Sequence, residues 1–134
     1  MKYMRKIPAF NLQEMLIVLA ILGILLLIAL PNFMPLISKT KAQEAKIQLK
    51  YIANLQKQYQ YLNSKYTMDF NQLDFEKPIT VLNGGTSNYK YEVVEASVNN
   101  FVVRATAVVD FDGDGVFNVW EIDRNDNPIQ KVQD

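Results

Sequence analysis

Residues 15–30 read MLIVLAILGILLLIAL, a run without a single polar side chain that decides the fold. The uncharged segment is longer still, because no charged residue occurs between Glu14 and Lys39, a span of 24 residues. At about 1.5 Å per residue, a helix of this length measures roughly 36 Å, which exceeds a bilayer core of about 30 Å. The sequence therefore predicts one membrane-spanning helix near the start of the chain.

The flanks of this run predict its orientation in the membrane. Lys2, Arg5 and Lys6 precede it, and such residues favour the cytoplasmic side, so the rest of the chain is expected to lie outside. A secretory signal would have a shorter apolar region followed by a small-residue cleavage site, whereas here the small residues Pro8 and Ala9 precede the run. A plain signal-anchor helix is the alternative.

A second apolar pattern follows with the period of an amphipathic helix. Pro31 and Pro35 lie at the junction, and each removes a backbone hydrogen bond, so we expect a bend or a locally opened stretch between Gly23 and Pro35. Two separate helices are the alternative to one kinked helix. The predicted apolar stripe consists of Ala42, Ala45, Leu49, Ile52, Leu55, Tyr59, Leu62 and Tyr66.

Strand-like segments begin after an irregular stretch at residues 67–78. Short links between these segments favour antiparallel neighbours in a meander. The helical stripe needs an apolar partner, so the sequence predicts an α+β fold in which a long helix packs on a small antiparallel sheet. The predicted strands are residues 79–82, 89–96, 101–109 and 117–122.

The composition disfavours catalysis. The 134 residues include no Cys, which excludes disulfide and thiolate chemistry, and no His, which removes the usual acid–base group near neutral pH. The formal net charge is zero, so the overall charge balance does not recruit nucleic acid. We therefore expect a protein that is not an enzyme.

Glu14 is an ionisable residue at the mouth of the apolar run. A charge at the centre of a membrane helix costs about 2.5–3.5 kcal/mol, and less near an end, so this carboxylate needs a reason to be there. If the chain is cut after Ala9, the new amine of Phe10 lies four residues from Glu14 and can neutralise it within or between subunits. Pairing between two offset copies would fix the stagger of a helical bundle. The alternative is a glutamate that only marks the membrane interface.

The stretch KIPAFNLQEMLIVLAILGILLLIALPNF resembles the N-terminus of type IV prepilins and of the related type II secretion pseudopilins. These proteins have a short basic leader, a small residue at the cut, an aromatic first mature residue, a glutamate five positions into the mature chain and a proline that ends the apolar run. Here these features correspond to residues 1–9, Ala9, Phe10, Glu14 and Pro31. The resemblance covers roughly the first 60 residues.

The resemblance implies a single-pass inner-membrane precursor that a prepilin peptidase cleaves between Ala9 and Phe10 and methylates at the Phe10 amine. An assembly platform and its ATPase would then move subunits into a helical homo-oligomeric filament at the cell surface or in the periplasm. Two residues depart from the family pattern. Ala9 replaces the usual glycine, so slower processing is expected, and Gln13 replaces an apolar residue before Glu14.

Four segments are expected on this basis. They are a leader at residues 1–9, a transmembrane and assembly helix at 10–37, an amphipathic helix at 38–66 and a β-sheet head at 67–134.

Residues 110–121 match D-x-D-x-D-G-x5-E, the ligand spacing of an EF-hand calcium loop. Alternate carboxylates in a tight loop converge on one point, and Gly115 permits the sharp turn. The preceding residues are strand-like, so this would be a lone loop, and a solvated acidic hairpin without metal is the alternative. The expected Ca²⁺ ligands are the side chains of Asp110, Asp112, Asp114 and Glu121, the carbonyl of Val116, and Asn118 through a water.

Three functions remain open at this point. The first is a structural subunit of a type IV pilus-like filament, and the second is a pseudopilin of a type II secretion system. The third is a membrane-anchored calcium-binding module that never polymerises, which would keep its leader and would not need Glu14. An enzyme ranks last, because the sequence offers no convergent set of acid and base residues beyond the calcium carboxylates.

Overall fold

The computed structural model describes residues 8–134, so the basic residues Lys2, Arg5 and Lys6 of the predicted leader lie outside the described residues. The chain divides into two compact units, with the boundary between Met34 and Pro35.

The first element is one helix, α1, which spans Leu12–Asn63 and has 52 residues. The helical backbone is unbroken from Gly23 to Pro35. Two separate helices and a locally opened stretch, both considered from the two prolines, are therefore not found in this part of the described chain. A proline deletes only its own N–H donor, and the remaining hydrogen bonds of the ladder hold the helix on either side.

The first unit contains the apolar part of α1. Its segment Leu12–Pro31 has 20 residues, a mean hydropathy of 2.7 and no buried residue, which makes it long and apolar enough to cross a membrane. Side chains such as Leu19, Leu26 and Leu30 are each about 60% exposed. A surface of this kind is not stable in water and requires a lipid or protein environment.

The second unit contains the rest of α1 and a four-stranded antiparallel sheet in the order β1-β2-β3-β4. This meander confirms the predicted α+β fold. Its strands are β1 at Tyr89–Ala96, β2 at Phe101–Ala107, β3 at Val119–Asp123 and β4 at Ile129–Val132.

The core forms where the amphipathic part of α1 meets the sheet. Leu49 and Ile52 of α1 are fully buried in the same cluster as Tyr89, Phe101 and Val103 of the sheet. Burying one large apolar side chain contributes about 1.5–3 kcal/mol, so this contact is the main stabilisation of the head. The predicted stripe is thus confirmed at its centre.

The last part of the predicted apolar stripe is not buried as expected. Leu62 is 85% exposed, because α1 ends at Asn63 and the chain turns at Ser64, which has a φ of 59°. The helix therefore ends three residues before the predicted end of the 38–66 segment. Tyr66 still reaches the core, where its ring lies 4.8 Å from the ring of Phe101.

One strand prediction was wrong, and one strand was not predicted. Residues 79–82 do not form a strand, because Thr80 makes one isolated bridge to Ser87 and the chain then coils into the short 3₁₀ helix Val81–Asn83. Gly84, with a φ of 82°, ends that helix. The strand Ile129–Val132 was missed, because all four of its residues are exposed and carry no alternating pattern.

Candidate functional site

The N-terminal site is built around the first turn of α1. The side-chain carbonyl of Asn11 accepts a hydrogen bond from the amide of Glu14 at 2.9 Å, and the amide of Asn11 donates to Glu14 Oε2 at 3.1 Å. This reciprocal pair is a capping box, which satisfies two backbone donors that the helix itself leaves unpaired. Glu14 therefore has a structural partner in the single chain.

The predicted cleavage and methylation residues lie just before this cap. Ala9 and Phe10 have non-helical backbone, and Phe10 is 80% exposed. This position leaves the peptide bond between them outside the helix, where a protease can extend it in its active site. Phe10 directly precedes the cap residue Asn11, so an amine formed at Phe10 would stand at the entrance of α1.

Pro31 ends the span that Leu12 begins. The residues between them expose apolar side chains all round, and Glu14 is the single charged residue in this stretch of the described chain. Carboxylates are stabilised near helix N-termini, where the backbone dipole leaves partial positive charge. The position of Glu14 thus suits its part in the cap.

The second site is the acidic loop, defined here as residues 110–118 between β2 and β3. One carboxylate oxygen each from Asp110, Asp112, Asp114 and Asp134 lies within 4.8 Å of the others. Ligand oxygens on opposite sides of a Ca²⁺ ion are about 4.6–5.2 Å apart, so this spacing fits one cation of that size.

Backbone amides shape the loop around these carboxylates. Asp110 accepts from the amides of Gly113 and Gly115, both at 2.6 Å, and Asp112 accepts from Asp114 at 3.0 Å. Both glycines have a φ of 85°, a left-handed conformation in which other residues are strained. Gly113 and Gly115 therefore allow the loop to turn tightly enough for its aspartates to face one another.

Asp134 was missed by the sequence analysis. It lies outside the D-x-D-x-D-G-x5-E spacing, and it reaches the loop because β4 runs back along β3. Its carboxylate accepts from the amides of Phe111 at 2.8 Å and Asp112 at 3.2 Å, while its backbone carbonyl accepts from Ser38 Oγ at 3.0 Å. Asp134 thus ties the loop to α1.

The surroundings of the cluster shift the pKa values of two of its carboxylates. Hydrogen bonds from the amides of Gly115 and then Gly113 hold the pKa of Asp110 below its ordinary value. The amide of Asp114 also lowers the pKa of Asp112, yet that pKa is raised overall, because desolvation and repulsion from the neighbouring carboxylates outweigh this hydrogen bond. Like charges held this close favour protonation or a bound cation.

Glu121, the predicted twelfth position of the calcium loop, lies outside this cluster. It is on β3, where Oε1 is 2.7 Å from Arg104 Nη2 and Oε2 is 3.6 Å from Lys131 Nζ. A carboxylate whose two oxygens already face cations on neighbouring strands is engaged in the sheet. The structure thus separates Glu121 from the three predicted aspartates.

The other two predicted ligands are Asn118 and Val116, and only Val116 lies beside the acidic cluster in the chain. Asn118 is fully buried, where its side chain donates to Tyr89 Oη at 3.2 Å and accepts from Gln130 at 3.0 Å. Val116 donates its amide to Asp114 Oδ1 at 2.7 Å and is close in the chain to the acidic cluster. Asn118 is therefore part of the core polar contacts rather than of the carboxylate cluster.

Comparison with known proteins shows a similarity to a pilin over part of the chain. No protein-family model matches the chain. The chain is 39% identical to the type IV major pilin protein PilA of Myxococcus xanthus (strain DK1622) over 66 residues, which are 49% of this chain and 30% of the relative. It therefore spans under a third of that relative's length. The expected resemblance to type IV pilins is confirmed: over about half of its length, this chain is similar to a type IV major pilin.

Proposed function

We propose that this chain is the structural subunit of a type IV pilus-like filament, made as a membrane-anchored precursor and polymerised through α1. The observation that carries the proposal is the helix segment Leu12–Pro31, which has no buried residue and carries one carboxylate at its entrance. Such a helix is stable in a bilayer before assembly and in a bundle of its own copies afterwards. The similarity to a major pilin supports the pilus over the secretion pseudopilus.

Cleavage after Ala9 completes the proposed site. It gives Phe10 an amine at the entrance of α1, next to the capping box of Asn11 and Glu14. In an apolar bundle, an ammonium and a carboxylate neutralise each other, because an unpaired charge in such surroundings is costly. The amine of one copy and Glu14 of the next then set the stagger of the filament.

The experiment is mass spectrometry of the protein in sheared surface filaments, together with electron microscopy of those filaments. The expected N-terminus is Phe10 with one methyl group on its amine. An intact leader on the surface protein, or no filament containing this chain, would overturn the proposal in favour of a membrane-anchored module that does not polymerise.

The second part of the proposal is that the acidic loop binds Ca²⁺. Asp110, Asp112 and Asp114 retain the ligand role expected from their spacing, and Asp134 takes the place given to Glu121 by the sequence pattern. The proposal is supported by four carboxylate oxygens within 4.8 Å of one another, in a loop whose glycines turn it around them. A divalent cation would replace their repulsion with attraction and fix the loop between β2 and β3.

Calcium binding is tested by titrating the full-length chain in detergent micelles, with the fluorescence of Trp120, the only tryptophan, as the probe of unfolding. A ligand that binds only the folded state adds about 2.7 kcal/mol of stability at one hundred times its dissociation constant. The midpoint temperature should rise with Ca²⁺, and an unchanged midpoint would remove the metal from the proposal.

A further inference from the structure

Four lysines lie on one side of α1: Lys39, Lys46, Lys50 and Lys57. They are separated by 7, 4 and 7 residues, which are close to two, one and two helical turns. We call this set the lysine stripe. It runs along the part of α1 that belongs to the second unit.

Two members of the stripe have partners within the chain. Lys57 Nζ lies 3.4 Å from Asp126 Oδ2, and Lys46 Nζ lies 4.5 Å from the centre of the Trp120 ring. Lys39 and Lys50 are exposed, and neither forms an ion pair with any carboxylate in the described part of the chain. The stripe thus has positive charge that the fold does not neutralise.

A groove of about 300 Å³ opens at the middle of the stripe, between α1 and the turn before β4. Ile47 on its wall is 66% exposed, and Pro128 adds a second apolar surface. The groove therefore combines two ammonium groups, those of Lys46 and Lys50, with apolar side chains. Such a surface fits a partner that is acidic and partly apolar.

The chain carries a surface of that description in its acidic loop. The four carboxylates of the cluster form no ion pair with a Lys or Arg of the described residues. Next to them, Val116 and Phe117 are 39% and 44% exposed. We propose that the lysine-lined groove is the docking site for the acidic loop of a second copy of this chain.

None of the described residues of the acidic loop lines the groove of its own chain. Asp134 binds the loop amides with its carboxylate and accepts from Ser38 Oγ with its carbonyl, so the loop is held beside residue 38 of α1. Lys46 and Lys50 lie 8 and 12 residues further along the helix, which corresponds to about 12–18 Å. The partner must therefore be displaced along α1 by roughly this distance.

A contact between two different patches is heterologous, and repetition of such a contact produces an open, fibre-like assembly when the rotation does not close into a ring. The inference rests on the proposed filament, for which it names a contact between heads in addition to the contact between helices. Calcium in the loop would leave two of its four formal negative charges, so binding of the metal weakens the attraction to lysine without abolishing it.

Disulfide trapping in assembled filaments tests the contact, and the chain offers a clean background because it has no cysteine. One chain carries both Lys50→Cys and Phe117→Cys, and the matched control carries Lys65→Cys and Phe117→Cys, with Lys65 also exposed. After mild oxidation, the first chain is expected to give a ladder of covalent oligomers on a denaturing gel. The control and both single variants are expected to stay monomeric.

Charge reversal supplies a second readout. Lys50→Glu is expected to lower the filament yield roughly two- to fivefold, with the deficit disappearing as salt rises, whereas Lys65→Glu has no effect. Filaments of the double-cysteine chain without a ladder would overturn this contact and leave the filament proposal intact. A yield loss for Lys50→Glu without any ladder would assign the stripe to another acidic partner and would also overturn it. Absence of filaments from the unmodified chain would overturn both proposals.

Discussion

Glu14 and Asn11 cap the helix entrance reciprocally, each using its side chain to bind the backbone amide of the other at 3.1 and 2.9 Å. The carboxylate that the proposed assembly requires is thus already oriented in the single chain. Because only Oε2 is used in the cap, the group can accept a further donor from a neighbouring chain. Asn11 is therefore expected to act as a positioning residue for assembly.

Replacement of Asn11 tests this positioning. Asn11→Ala removes the side-chain acceptor for the Glu14 amide, which costs about 1 kcal/mol of helix stability. The first turn then loosens, and with it the bond by which the Asn11 amide orients the Glu14 carboxylate. The filament yield is expected to fall while the membrane-bound pool stays at its normal level. Asn11→Ser, which can cap a helix equally well, should restore the yield. Equal yields for all three chains would show that the cap has no part in assembly.

Glu121 and Asp112 should respond differently to substitution. Asp112→Asn removes a cluster carboxylate, so the calcium-dependent rise in midpoint temperature should shrink or vanish. Glu121→Gln removes the pairing with Arg104, so it should lower the free energy of unfolding by about 1–2 kcal/mol with the calcium-dependent rise retained. Trp120 fluorescence of the full-length chain reports both quantities. Loss of the calcium response in Glu121→Gln would restore the ligand set expected from the sequence.

Gln56 binds the backbone of the segment that follows α1. It is fully buried, and its side chain donates to the carbonyl of Thr67 at 2.6 Å and accepts from the amide of Thr67 at 3.0 Å. Gln56→Ala leaves both backbone groups unpaired in the core, which should cost about 1–3 kcal/mol of unfolding free energy. Gln58→Ala, at an exposed position of the same helix, is the matched control and should change little. Thermal unfolding in detergent measures the difference.

Tyr89 makes the head sensitive to alkali. Burial, and secondly the negative charge of Glu44, raise the pKa of Tyr89 far above its ordinary value. The unfolded chain ionises this group near pH 10, whereas the folded chain keeps it neutral. Its contribution to stability is therefore complete below pH 10 and is lost as the pH rises beyond it. With Tyr89→Phe, the free energy of unfolding should fall less steeply above pH 10. Tyr61→Phe, at a 90% exposed position, should leave this pH dependence unchanged.

Three features of the fold were predictable because their signals are local. The segment from Met15 to Leu30 is an unbroken apolar run, and the stripe around Leu49 has helical periodicity, so neighbouring residues alone set both signals. The alternation Tyr89, Tyr91 and Val93 likewise marks a half-buried strand, and all three side chains are buried.

The features that the sequence did not predict depend on contacts between residues that are far apart in the chain. β4 is recognisable only through its pairing with β3, since its side chains are exposed on both faces. Glu121 fits the calcium pattern in spacing, but in the structure its carboxylate pairs with Arg104, which is 17 residues away on the neighbouring strand. Asp134 joined the acidic cluster from outside the pattern altogether, and no local signal in the sequence marks it.

Incorporation of Glu14→Ala into filaments that also contain the unmodified chain tests most directly whether copies pair through the Phe10 amine and this carboxylate. The two chains are produced together at equal levels in the membrane, and their ratio in sheared filaments is measured by mass spectrometry, with Gln13→Ala as the neighbouring control. The Glu14→Ala chain should be present in the membrane yet strongly depleted from the filaments, whereas Gln13→Ala enters normally. Equal incorporation of the Glu14→Ala chain would contradict assembly through that pair.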